Sequence, residues 1–408
     1  MNSELLNFLA ATVIVLVAAK LAGYASVRFG QPSVLGELLV GIILGPTVLN
    51  MLGAWPLFAG DDHLPASLTL FAEIGVILLM FLAGLELDLR DLLRSGRVAG
   101  LAGSLGVIVP LAGGFLTARL FGVETTEAIF IGLALSATSV SISAQTLMEL
   151  GVLRSKVGLG LLGAAVFDDI LVVLLLSGAT VVFGTAEGGA GIGVILLRMI
   201  LFLGVGSAVG LILVPRLMRL VENLPVSQAL PTAALVVCFL FAWASEALGG
   251  MAAITGAFMA GLFFARTPYA RPIEHGLSAL AYSLFVPIFL VNIGLQANLR
   301  AISGAGWYLA IALTVVAVIS KVLGSGVGAL AGGFDRRESL RLGIGMISRG
   351  EVGLIVASVA LGAGLVTPAT FSGVVFMVIV ATLVTPPLLR LSYRNEDTLA
   401  PVANSRPK

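Results

Sequence analysis

The sequence predicts an all-α integral membrane protein of about 13 transmembrane helices, arranged as two repeats of opposite membrane orientation. Three observations carry this prediction. The composition is 58% hydrophobic and only 11% charged, with a mean hydropathy of +1.09, where a soluble domain has about a quarter of its residues charged. The basic residues fall almost entirely in alternate loops. Short sequence patterns recur seven segments apart.

Runs of about 20 apolar residues between polar breaks mark the segments. The first, 5–27, contains Lys20 and is too long and too poorly flanked for a cleavable signal. The second, 33–51, carries Gly36, Glu37 and Gly41; the third, 66–87, carries Glu73 and ends at Glu86. The fourth, 98–121, contains Pro110, and the fifth, 126–147, holds the Ser- and Thr-rich run GLALSATSVSISAQ. The sixth, 157–183, carries the pair Asp168-Asp169; the seventh, 192–214, carries Arg198. Segments eight (230–248) and nine (250–265) are divided at Gly249-Gly250. Segment ten covers 277–296, eleven covers 304–331 with Lys321 near its centre, twelve covers 339–362 with Arg349 and Glu351, and thirteen covers 369–391. Residues 392–408 form a polar tail too short to be a domain.

Even-numbered loops contain only Arg119 and Arg300. Odd-numbered loops and the tail contain Arg28, Arg90, Arg94, Arg97, Arg154, Lys156, Arg216, Arg219, Arg266, Arg271, Arg336, Arg337, Arg341, Arg390, Arg394, Arg406 and Lys408. Basic loops stay in the cytoplasm, so the C-terminus is expected inside and the N-terminus outside. Lys20, Arg198, Lys321 and Arg349 are the basic residues left inside segments.

GLELDLRDL (84–92) at the end of segment three answers GLQANLRAI (294–302) at the end of segment ten. GVIVPLAGG (106–114) answers AVISKVLGS (317–325), so Lys321 falls where the first half has Pro110. Gly36 and Gly41 share their spacing with Gly256 and Gly261. An offset of seven segments inverts one half relative to the other, as in secondary transporters whose site lies near mid-membrane.

A net charge of +1 gives no reason to expect a nucleic-acid partner. The single cysteine, Cys238, excludes an internal disulfide and a cysteine metal cluster; His63 and His275 are placed in loops. GLGLLG (158–163) matches G-x-G-x-x-G, but it opens a membrane helix rather than following a strand, so no nucleotide and no cofactor are expected.

Each acid at mid-bilayer costs roughly 2.5–3.5 kcal/mol. Asp168 and Asp169 point about 100° apart on a helix. They cannot share one proton as a facing dyad, but they can address two partners. Lys321, too deep to snorkel, is the natural counter-ion of Asp168. Lys20 and Arg198 sit nearer segment ends and are expected to snorkel. The 136–143 run, with Thr138 and Ser139 at its middle, and ISRGE (347–351) occupy matching positions, the signature of two discontinuous helices. Arg349 and Glu351 are read as charges that neutralise half-helix ends. Glu73 is expected to pair with Arg349.

QPSVLGELLVGIILGP (31–46), SATSVSISAQTLMELGVL (136–153), AAVFDDI (164–170), SKVLGSGVGAL (320–330) and ISRGEVGLIVA (347–357) together resemble the bacterial monovalent cation:proton antiporter family. The resemblance implies the sodium/proton antiporter fold, a homodimer in the bacterial inner membrane, and elevator-like alternating access. It implies a dimerisation domain over approximately 1–97 and 230–303, an ion-transporting core over 98–183 and 304–391, and a linker helix at 192–214. It assigns ion and proton binding to Asp169, a bridge to Lys321 to Asp168, and help in coordination to Thr138 and Ser139. Its cargo would be Na⁺, with Li⁺, at Asp169, exchanged for H⁺. Two aspartates resemble electrogenic sodium exchangers; the potassium-efflux branch typically has Gln-Asp and a C-terminal nucleotide-binding domain. A K⁺/H⁺ antiporter and an organic-anion symporter on the same scaffold are the alternatives. A channel would need a continuous polar pore, and an intramembrane protease would need acids on facing helices.

Overall fold

The computed structural model describes residues 3–29, 31–58, 60–85, 96–183, 192–222, 225–296, 298, 300, 302, 304 and 306–394. Glu86, Arg90, Arg94, much of the 84–92 and 294–302 matches, and the tail beyond Arg394 lie outside the described residues. Among those described, ten helical spans are long and apolar enough to cross a membrane. Two shorter apolar helices and a second interrupted segment bring the spans to thirteen.

The chain runs through α1 (Ser3–Arg28), α2 (Ser33–Leu44), α3 (Leu64–Leu85) and α4 (Gly96–Leu120). Segment five is split into α5 (Thr125–Ser136) and α6 (Val140–Glu149). Then follow α7 (Lys156–Val182), α8 (Gly193–Val221), α9 (Ala229–Gly249), α10 (Ala253–Ala265) and α11 (Ala270–Leu295). Last come α12 (Gly306–Gly332), the split pair α13 (Arg336–Gly345) and α14 (Glu351–Gly362), and α15 (Pro368–Tyr393).

Several helices outrun their apolar stretch, because a helix end at the membrane surface needs only one apolar face. Val214, Met218 and Val221 bury that face in α8, so Arg216 and Arg219 lie in the helix rather than in a loop. Ile273 and Leu277 do the same in α11, which places His275 in a helix, not in the expected loop. Asp335 caps α13: its carboxylate accepts the Glu338 and Arg337 N–H groups, which holds it below the usual carboxylate range. Segment two is shorter than its apolar run, because the helix stops at Leu44 and the chain turns at Gly45-Pro46.

The helices pack in two groups. α1, α2, α3, α9, α10 and α11 pack on one another, as do α4–α7 and α12–α15. The groups meet where α3 and α2 touch α6, and where α2 touches α15. α8 touches α7 on one side and α10 on the other. In lipid, helix association relies on close packing of small residues. α4 and α12 form the most extensive pair, and a Cβ on Gly324 would fall 2.5 Å from the Leu105 carbonyl oxygen. Gly160 lies against Phe334 and Leu342, so this residue of the GLGLLG stretch serves packing.

In the other group α2 crosses α11 at Gly41 and Gly294, where each added Cβ would strike the opposite backbone. Gly41→Val is expected to destabilise the protein by about 3 kcal/mol, the upper end for overpacking. Its thermal midpoint in detergent should fall, whereas a solvent-facing substitution such as Glu124→Gln should leave it unchanged.

Candidate functional site

The two interrupted segments cross at their interruptions. Residues 137–139 are extended between α5 and α6, and residues 346–350 separate α13 from α14. With no water in hydrocarbon, freed backbone groups must find partners inside the protein. Here they find each other: the Ser139 N–H donates to Ser348 O at 3.0 Å, and Ser348 Oγ donates back to Ser139 O at 2.5 Å. Ser143 Oγ donates to Gly345 O at 2.5 Å and lies 3.0 Å from Ser348 Oγ. Thr382 on α15 donates to the Arg349 carbonyl. Gly350 has no side chain because Ser139 occupies that space; an added Cβ would come within 2.6 Å of it.

A helix C-terminus carries about half a negative charge on its free carbonyls. A buried cation meets each of the two half-helix C-termini. Lys321, fully buried, donates to Ser136 O at the end of α5 (2.8 Å), to Gly106 O in α4 (2.6 Å) and to Asp168 Oδ1 (2.5 Å). All three ammonium N–H groups thus have an acceptor. Arg349, also fully buried, wraps the carbonyls of Met346 (3.0 Å), Ile347 (2.7 Å) and Ser348 (3.4 Å), and reaches Ala317 O at 3.3 Å.

The two aspartates diverge. Asp168 is fully buried against Lys321. Thr138 Oγ1 faces the same carboxylate closely enough to interact, yet neither it nor Asp168 Oδ2 meets hydrogen-bond geometry. Asp169, 8% exposed, lines a narrow cavity with Met80 of α3, Val140 of α6 and Ile254, Thr255 and Phe258 of α10. It is the one ionisable residue among those lining that cavity, and it sits on the seam between the two helix groups. Ile254 also lines a second, larger cavity of about 510 Å³. Val172 and Val173, one turn beyond Asp169, line that second cavity together with Glu73, Glu246, Asn292 and Gln296.

The structure therefore brings Thr138, Ser139, Asp168, Lys321 and Arg349 to one crossing, with Asp169 beside it. Glu73 is a correction. It faces the larger cavity near Glu246, not Arg349, whose guanidinium bonds carbonyls and forms no ion pair within 4.0 Å among the described residues. Glu351 opens α14, and its side chain lies outside those described. Lys20 and Arg198 also find partners in the protein. Lys20 donates to Tyr282 O at 3.0 Å and lies 3.8 Å from Glu37; Arg198 donates to Ala247 O and Leu248 O. Sequence reasoning did not single out Ser143, Ser348 or Thr382. Ser143 and Ser348 carried a signal, as hydroxyls within a few residues of an interruption, whereas Thr382 meets one only through the packing of α15.

Residues 13–391 match the family model described as sodium/hydrogen exchanger, transmembrane. The chain belongs to this family. Several relatives extend over nearly its whole length, two bacterial antiporters among them. The Na⁺/H⁺-K⁺ antiporter GerN of Bacillus cereus is 43% identical over 94% of this chain and 96% of its own. A Na⁺/H⁺ antiporter of Enterococcus hirae is 35% identical over 94% and 98%. Among solved structures, the sodium proton antiporter MjNhaP1 from Methanocaldococcus jannaschii superposes with a TM-score of 0.73. That match covers 98% of this chain and 99% of the other at 17% identity, a likeness of fold. The chain is thus a multi-pass membrane transporter of the exchanger family rather than an enzyme.

Proposed function

We propose that this exchanger trades Na⁺, and Li⁺ with it, for protons across a bacterial inner membrane, and that Asp169 is the carboxylate that holds ion and proton in turn. The observation that carries this reading is the place of Asp169: a nearly buried acid on the seam between two helix groups, beside two crossed half-helices. A cation favours the ionised carboxylate and desolvation favours the protonated one, so the two cargoes compete for one group. Ion binding and proton release are then linked. The names of GerN and of the Enterococcus hirae protein support sodium and proton as cargo.

Thr138, whose hydroxyl is buried at the interruption without a well-placed partner, offers the ion an oxygen. Ser139 offers the second lone pair of its carbonyl, which already accepts from Ser348 Oγ; its N–H is engaged in the crossing and its hydroxyl lies against Ser141 Oγ. Asp168 holds Lys321, and Arg349 with Glu351 balances the half-helix ends. Glu73 lends negative charge to the larger cavity, which lies toward the outside if the N-terminus is outside. The repeats are inverted, and the group α4–α7 with α12–α15 is the moving core. The group α1–α3 with α9–α11 is the scaffold of a homodimer, and α8 links the two. Movement of the core past the scaffold exposes Asp169 to each side alternately. If Lys321 also gives up a proton when sodium arrives, two protons cross for one ion, and each net charge moved is worth about 2.3 kcal/mol per 100 mV.

Proteoliposomes with a trapped pH dye test the reading. Added Na⁺ or Li⁺ should move protons, and clamping the membrane potential should change the rate. No pH change with Na⁺, Li⁺, K⁺ or Rb⁺ at any pH would defeat the exchange reading. A response to K⁺ alone would replace sodium with potassium, and indifference to the potential would make the cycle electroneutral.

A further inference from the structure

Pro110 stands at the middle of α4. Proline has no N–H, so the carbonyl four residues earlier loses its helical donor, and the ring pushes that carbonyl out of line. The orphaned carbonyl is that of Gly106, and it is the one Lys321 Nζ reaches at 2.6 Å. Gly106 also clears the approach: a Cβ there would stand 3.6 Å from Lys321 Nζ and would collide with Ser325 Oγ. Both features sit in one short stretch, GVIVP.

The ammonium is therefore held by three acceptors on three helices: Gly106 O on α4, Ser136 O on α5 and Asp168 Oδ1 on α7. Two of the three are neutral backbone oxygens that neither titrate nor rotate away. We propose that Pro110 is a positioning residue: by withholding its N–H it assigns the Gly106 carbonyl to Lys321, and so helps to set the pH range over which exchange runs. Asp168, Asp169 and Arg349 are the charged side chains that act on Lys321; α4 and α5 bring only neutral oxygens to it. The seat favours the ammonium form of the lysine and holds it in place, so it raises the pH at which that ammonium gives up its proton.

The proposal rests on the exchange reading, because its signature is a pH profile of exchange. Pro110→Ala restores an N–H that competes for the Gly106 carbonyl and draws it back into the helix. The pH of half-maximal exchange should then move down by about 0.5–1 unit, roughly a three- to tenfold change in proton affinity. An α-hydroxy acid placed at position 110 by stop-codon suppression has neither ring nor N–H, and should keep the unmutated profile. Two results would overturn the proposal: an unshifted profile for Pro110→Ala, or a shifted one for the ester. The ester decides alone if the alanine variant fails to fold. Absence of cation-driven proton movement in the unmutated protein would instead defeat the exchange reading.

Discussion

Asp169→Asn is expected to abolish cation-driven proton movement while the protein stays folded and melts at nearly its usual temperature. The substitution keeps the size and shape of the side chain, removes its ability to ionise and turns one acceptor oxygen into an N–H donor. Asp169 is 8% exposed and lies among Met80, Val140, Ile254 and Phe258, surroundings that an uncharged amide fits at least as well as a carboxylate. The transported ion loses the one negative charge that borders this narrow cavity. Truncating one side of a buried charge pair costs about 2–5 kcal/mol, and about 1.4 kcal/mol is tenfold. Exchange in proteoliposomes should therefore fall by about 30-fold to several thousand-fold. Asp169→Glu keeps the charge on a longer arm and should keep measurable exchange with weaker apparent affinity. Wild-type rates from the asparagine variant would show that the ion travels elsewhere. A variant that merely unfolded would betray itself in the melting curve, which separates the loss of a site from the loss of a fold.

That Asp169 could be singled out at all follows from the cost of polarity in hydrocarbon. An acid, a lysine or a cluster of serines stands out against apolar neighbours, and its depth follows from the ends of the segment. The interruptions at 137–139 and 346–350 were legible for that reason, as Ser, Thr, Arg, Gly and Glu at matching depth. So was the pairing of Asp168 with Lys321, both central in their segments. Depth alone does not fix which way a side chain turns. Glu73 and Arg349 could have met on depth, but Arg349 bonds the carbonyls of the residues just before it. A carbonyl has no letter of its own in the sequence, so the anchors of Lys20 on Tyr282 and of Arg198 on Ala247 and Leu248 were invisible there. Hydropathy also stops where a helix turns amphipathic, which hid the first turns of α11 and the last turns of α8. The contact of Glu149 with the N–H and hydroxyl of Ser33, at 2.8 and 2.5 Å, ties α6 to the start of α2. It too joins residues whose separation in sequence offers no hint of contact.

Lys321→Ala should destabilise the fold by about 3–5 kcal/mol, the usual result of removing one member of a buried ion pair. The loss is not confined to the Asp168 bond. Gly106 O, Ser136 O and Asp168 Oδ1 would all be left facing one another with no donor between them, and Asp168 Oδ2 already lacks a well-placed one. The end of α5 would also lose the cation opposite its dipole. Asp168→Asn in the same chain should recover much of this. An amide needs no counter-charge, its N–H groups can donate to the carbonyls the lysine vacated, and neutral replacement of a buried pair is often close to harmless. Thermal unfolding in detergent would therefore rank the double variant above Lys321→Ala, with a coupling energy of about 0.5–3 kcal/mol in the cycle. Equal midpoints for the single and double variants would mean that Asp168 is already neutral without the lysine. The pair would then be a means of moving a proton rather than of holding α4, α5 and α7 together. A double variant that melts well but exchanges one proton per ion would make the same point from the transport side. It would show that the core can do without this salt bridge and that the electrical part of the cycle cannot.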